Sequence, residues 1–308
     1  MKLSGEITAT SAGVLTNTDG LIILTRPETA KEDPITVKIP DLFISIVGEP
    51  KTLNQFLEKA ISTDDWACKV LDFDEKLTKE GVDMRFPLPC ASMVPNSTEQ
   101  PLQAFTEWVS WSIPFDDRID GGYLANDLGG AAKENIESLA IMDDDYPTVD
   151  PEEKGFDVEG VGVGGWTGAT YMLGLLQQIK WLGYKDRVLT VDEYLAFRHP
   201  SSGMGPTCVF AEWSITEANK IPYEVVEHPS VEIFRDLFID IVSIQAYSLQ
   251  GAIDEAGKMV LDRYKIWEQA VRDLPSWGEE IDAVVLKLVR AYSDVCWENM
   301  NWSYFLSH

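Results

Sequence analysis

The sequence predicts an all-α fold: a bundle of moderate-length helices behind an irregular or weakly extended N-terminal segment. Two observations point there. After Pro40, apolar residues recur at three- and four-residue spacing, the period of a helix with one buried face. Between those stretches lie segments rich in Pro and Gly, which end helices and turn the chain.

Taken in order, residues 6–40 are rich in Thr, Gly and Pro, with short β-branched runs such as "GLIILT" and "PITVKIP" that give weak extended character. Helical spacing then appears in "LNQFLEKAI", "LQAFTEWVSWSI", "YMLGLLQQIKWL", "VEIFRDLFIDIVSI" and "IDAVVLKLVRAYSDVCWENMNW". The predicted breaks are "FPLPCASMVPNSTEQP", "DDDYPTVDPEEKGFDVEGVGVGG", "RHPSSGMGP", "EHPS" and "LPSWGEE". No low-complexity linker divides the 308 residues, and no internal repeat is apparent, so one helical body over residues 37–308 is expected after a segment spanning 1–36. Helix bundles place ligand sites in their cores.

Composition narrows the function. The chain is 45% hydrophobic and 10% aromatic, enough apolar material for a large core. A formal charge of −26, with no basic patch, argues against nucleic acid and anionic membranes as partners. An acidic protein that handles an anionic ligand needs divalent cations or placed arginines. Cys68, Cys90, Cys208 and Cys296 form no CxxC pair and read as buried free thiols. No apolar run is long enough to span a bilayer, and the N-terminus lacks the apolar region of a secretory signal, so a soluble, cytoplasmic protein is expected; its oligomeric state stays open. His199, His228 and His308 have no ligand spacing and are assigned no role.

The chemistry-bearing pattern is "FDDRID" at 115–120. On a helix of about 100° per residue, Trp108 at 0° puts Trp111 near 300°, Phe115 near 340°, Asp116 near 80°, Asp120 near 120° and Asp117 near 180°. Asp116 and Asp120 are i, i+4 neighbours, and two like charges about 5–6 Å apart disfavour a helix unless a cation bridges them. Hard oxygens on one face suit Mg²⁺. The competing reading is a solvated acidic surface, which is common in so acidic a chain. The aromatic run "EWVSWSIPF" just before it favours a cavity instead, with Trp111 and Phe115 directed inward. Pro114 removes a helix hydrogen bond just ahead of the carboxylates and would re-aim Asp116.

Seven blocks in sequence carry a family resemblance: "VKIPDLFISI", "EWVSWSIPFDDRIDGG", "VDEYLAFRHPSSG", "HPSVEIFRDLFIDIV", "SLQGAIDEAGKMVLDRY", "LPSWGEEID" and "ENMNWS". Over residues 37–308 the chain resembles the fungal class I terpene synthases, the sesquiterpene cyclases. The resemblance implies a Mg²⁺-dependent lyase with an all-α bundle, which ionises an allylic diphosphate, usually farnesyl diphosphate, and lets the carbocation cyclise in an aromatic pocket. It implies Asp116 as principal metal ligand of the DDxxD motif with Asp117 and Asp120 in support, Trp111 and Phe115 against the substrate, and Arg198 sensing the diphosphate. Ser201 and Ser202 would lie where the helix breaks. Arg198 as an ordinary surface ion pair is the alternative.

The chain departs from the family pattern. "NDLGGAAKE" resembles the second metal motif, with Asn126, Gly130 and Glu134 at its three positions, but it follows Asp120 too closely to face it across a cavity, and Gly130 has no ligand oxygen. It reads as a coincidence on the exposed half of a helix. At the expected place stand Gln245, Leu249 and Ile253, and the terminal Arg-Tyr pair of the family is absent. Three readings follow: a terpene synthase, a catalytically impaired remnant that keeps the fold and binds a prenyl ligand, and more weakly a prenyltransferase, which would need a second aspartate-rich motif.

Overall fold

The computed structural model describes residues 14–18, 21–25, 36–37, 53–70, 85–120, 122–124, 126–141, 165–182, 190–219, 221–244 and 250–305. Its N-terminal part is more regular than an irregular segment. β1 (Val14–Thr18), β2 (Leu21–Thr25) and β3 (Thr36–Val37) form an antiparallel sheet in the order β1-β2-β3, with Thr18 opposite Leu21. The β-branched runs supply the pairing residues.

Eleven helices follow among the described residues: α1 (Leu57–Val70), α2 (Pro87–Met93), α3 (Glu99–Asp120), α4 (Leu128–Ile141), α5 (Gly165–Leu182), α6 (Val191–Ser201), α7 (Met204–Asn219), α8 (Tyr223–Val226), α9 (Pro229–Ile244), α10 (Gln250–Arg272) and α11 (Glu279–Phe305). Four of the five stretches of helical spacing lie wholly on helices, and "LNQFLEKAI" enters α1 at Leu57. Helices α6, α8 and α10 lie outside those stretches, as do two elements whose absence from the pattern has a plain physical reason. α2 occupies a segment read as a break: Pro87 sits in its first turn, where a missing N–H costs nothing. α7 is buried on nearly every side by α3, α5, α6, α9 and α11, so it shows no polar face for periodicity to detect.

Local chemistry sets the ends. Asn54, almost fully buried, caps α1 by accepting from the Phe56 amide, and its Nδ2 donates to Val94 O, Ser97 O and Ser97 Oγ, which ties α1 to the end of α2. Thr190 and Glu193 form a reciprocal capping box at the start of α6. Asp282 accepts from the Trp277 amide and from Ser276 Oγ at the start of α11, where Glu279 and Glu280 also oppose the positive end of the helix dipole.

The core is the seam between α9 and its neighbours. Val231, Phe234, Phe238 and Ile241 form one buried stripe of α9, and Phe234 meets Trp267 of α10 edge-on at 4.9 Å. Val285, Leu288, Tyr292 and Val295 do the same for α11. One ionic network crosses this seam. Glu212 of α7 accepts from Arg235 of α9 at 3.1 Å and from the Tyr292 hydroxyl of α11 at 2.5 Å. Burial raises the Glu212 carboxyl pKa, and the Arg235 guanidinium and the Tyr292 hydroxyl oppose that rise. Cys90, Cys208 and Cys296 are buried free thiols; the side chain of Cys68 lies outside the described residues.

Candidate active site

Helices α2, α3, α5, α6, α7 and α11 enclose a cavity of about 120 Å³. Its α3 wall is a ladder at helical spacing, Phe105, Val109, Ser112 and Asp116, flanked by Trp108, Ile113 and Asp117. Pro89, Cys90 and Met93 of α2 and Tyr171 of α5 complete the apolar part. Ser201, Ser202, Gly203 and Thr207, at the α6–α7 junction, complete the wall with Asn299 and Trp302 of α11.

Asp116 is half-buried and Asp117 exposed, so the carboxylates stand where an aromatic cavity opens to water. They occupy the last turn of α3, the negative end of the helix dipole, where further negative charge is unfavourable without a cation. Their oxygen chemistry fits a hard divalent ion. Asp120 ends the same helix; its side chain lies outside the described residues. Among the described residues no cluster of three or more His, Cys, Asp or Glu could hold a metal by itself.

Trp111, Phe115 and Arg198 are not among the residues that line this cavity. The reason for the first two is helical phase. With Trp108 at 0°, the ladder residues fall at about 40–100°, whereas Phe115 and Trp111 lie about 90° and 130° from the centre of that arc. They stack on each other at 5.0 Å within the helix packing. Arg198 is half-buried one turn before the end of α6, which meets the cavity with its C-terminal end rather than its side. Its Nε is enclosed without a hydrogen-bond partner among the described residues. Pro114 lies inside an α3 that continues through it.

The second acidic pattern has structural work. Asp127 Oδ1 accepts from the Gly130 amide at the start of α4, and a Cβ on Gly130 would stand 2.6 Å from the other Asp127 oxygen, which explains Gly where a ligand Ser would be needed. Glu134 accepts from the Tyr123 hydroxyl at 2.6 Å and pairs with Arg118 at 3.7 Å. Asn126 is exposed. The expected place of the second motif, from Gln245 to Leu249, and the side chain of Ile253 lie outside the described residues.

Phe105, Tyr171, Asn299 and Trp302 are the site residues the sequence reading missed. For Phe105 the signal was present: counting back from Asp116 by four, three and four residues returns Ser112, Val109 and Phe105. The others come from separate helices, and no local pattern links them to Asp116.

Residues 167–246 match the family described as terpene synthase family 2, C-terminal metal binding. Terpene cyclase 4 of Gibberella fujikuroi is 26% identical over 87% of this chain and 84% of its own length. Silphinene synthase peniA of Penicillium patulum is 27% identical over the same shares of each. A Gibberella fujikuroi protein named inactive (1R,4R,5S)-(-)-guaia-6,10(14)-diene synthase is 27% identical over 86% of this chain and 79% of its own length. Among solved structures, a-eudesmol synthase superposes with a TM-score of 0.66 at 17% identity, covering 85% of this chain and 98% of that one.

Proposed function

We infer that this chain, which belongs to the fungal class I terpene synthase family, binds a prenyl diphosphate with its diphosphate at the Asp116 rim and its hydrocarbon among the aromatic walls. Farnesyl diphosphate is the proposed substrate and Mg²⁺ the proposed metal. The observation that carries this reading is the α3 ladder, which puts a half-buried carboxylate at the end of an apolar stripe lining a cavity.

Asp116 and Asp117 are the residues that would hold the divalent ion, with Asp120 on the following turn. An ion held there supplies positive charge to the departing diphosphate as the allylic C–O bond breaks. The protein's own part is shape and electrostatics. Phe105, Trp108, Tyr171 and Trp302 present π-systems that stabilise a carbocation without attacking it. Their packing with Met93 and Val109 keeps bulk water, the competing nucleophile, from the apolar end. Ser201, Ser202 and Thr207 supply hydroxyl-bearing residues to the cavity wall.

A second reading is favoured by specific observations: the chain is catalytically impaired. Glu134 is engaged by Arg118 and Tyr123, Gly130 has no ligand oxygen, and one relative carries the name of an inactive synthase. Each lost charge-stabilising contact costs on the order of 10²–10³ in rate, so lacking a second metal motif should slow ionisation by several decades. The test is the purified 308-residue chain with Mg²⁺ and farnesyl diphosphate, read by gas chromatography, alongside calorimetry with Mg²⁺ and inorganic pyrophosphate. The expected result is little or no terpene, with metal-dependent pyrophosphate binding that Asp116→Asn abolishes. A version with a second motif inserted after Ile244 should make a terpene. Robust turnover by the chain as written would overturn the impaired reading, and absence of both product and binding would overturn the metal site.

A further inference from the structure

Three residues on one stripe of α5, Tyr171, Gly174 and Gln178, meet the junction where α6 gives way to α7. Gly174 is pressed against it: a Cβ there would stand 2.5 Å from the Ser201 nitrogen and 2.6 Å from the Pro200 carbonyl carbon, both backbone. One turn on, Gln178 Oε1 accepts from Ser201 Oγ at 2.8 Å, with Gln178 6% and Ser201 1% exposed. One turn back, the Tyr171 ring lies 3.7 Å from where a Cβ of Gly203 would be, a residue held at φ +73°. On its other side this same turn, Ser201 to Gly203, is cavity wall.

The junction needs outside support. Pro200 inside α6 removes a backbone hydrogen bond just before the turn, so the last residues of α6 are weakly held by their own helix. An apolar contact would pack α5 on α6 as well as a polar one, but it would not fix the Ser201 hydroxyl. A buried hydrogen bond does, because the Ser201 hydroxyl, 1% exposed, has no water to turn to in its place.

We propose that Gln178, which does not line the cavity, is a positioning residue: through Ser201 it holds the Ser201–Gly203 turn in place for the anionic end of the ligand. This rests on the reading that the cavity takes a prenyl diphosphate. A displacement of about 1 Å in a positioned wall costs about a hundredfold in rate, whereas most of the apolar wall comes from α2 and α3, and of its aromatic residues Tyr171 is the one that touches the turn.

The experiment uses the full chain and its Gln178→Leu, Ser201→Ala and doubly substituted forms. Two ligands are compared: Mg²⁺ with inorganic pyrophosphate by calorimetry, and farnesol, which has the prenyl chain and no charge, by tryptophan fluorescence. Amide hydrogen exchange at residues 201–204 is followed in the ligand-free protein. Gln178→Leu should weaken pyrophosphate binding by about tenfold or more and farnesol binding by no more than about twofold, with faster exchange confined to the turn. The double variant should bind pyrophosphate no more weakly than the worse single one, since both remove the same interaction. Equal losses for both ligands, strictly additive losses, or unchanged exchange would overturn the proposal. A wild-type chain that takes farnesol but no pyrophosphate defeats the diphosphate reading instead; exchange at the turn in Gln178→Leu then decides the bracing on its own.

Discussion

Asp64 of α1 and Ser110 of α3 form a buried polar pair on the side of α3 turned away from the cavity, with Ser110 Oγ donating at 2.6 Å. Burial raises the Asp64 carboxyl above its ordinary 3.8, against the Ser110 hydrogen bond and with Asp65 adding to the rise. The folded chain therefore holds this proton to higher pH than the unfolded chain. The resulting stability is complete below 3.8 and is lost as pH rises through the raised folded value. Asp64→Asn keeps an acceptor for Ser110 and removes the titration, so its melting temperature should fall less steeply with pH above 3.8 than the wild type's; parallel curves in a pH series of thermal melts would refute this. A second residue-scale prediction separates packing from binding on α3. Phe115→Ala should cost about 3–5 kcal/mol in stability yet leave farnesol affinity in the surviving folded protein unchanged, because Phe115 is buried outside the cavity. Trp108→Ala should weaken farnesol binding, because Trp108 is cavity wall. Denaturant melts and fluorescence titrations check both, and a loss of affinity in Phe115→Ala would restore its expected substrate role.

At the scale of elements, α5 shows how a helix accommodates glycine in its interior. The helix begins at Gly165 and runs past Gly168 and Gly174. Glycine costs roughly 0.5–1 kcal/mol per helix position relative to alanine, a cost offset at Gly174 by the close approach of the α6 backbone. Gly174→Ala should therefore destabilise the protein despite alanine's better propensity, by about 1–3 kcal/mol, because the atoms in its way are backbone and the two helices must separate. A rise in melting temperature would mean that the α5–α6 approach is looser than described. α7 makes the complementary point. Its amphipathic signal is weak because it is central, whereas α3, α5, α9 and α11, which pack around it, were legible from the spacing of their apolar residues.

For the whole molecule the dominant long-range term is charge. At −26 the folded chain repels itself, and screening lengths shrink from about 10 Å at 0.1 M salt to about 3 Å at 1 M. Sodium chloride between those concentrations should raise the melting temperature; a fall would show that the Arg235–Glu212 and Arg263–Asp240 pairs outweigh the general repulsion. No described helix is long and apolar enough to cross a membrane, which accords with the short apolar runs of the sequence. The helical class, the positions of α3, α5, α9 and α11 and the candidacy of Asp116 were readable from residue order alone, because each depends on spacings within one helix turn or on a local motif. The N-terminal sheet, α2, the departure of Trp111, Phe115 and Arg198 from the cavity, and the structural use of Glu134 were not. Spacing shows which residues share a face, but only the packing of α2, α5, α7 and α11 around α3 decides which face becomes cavity and which becomes core.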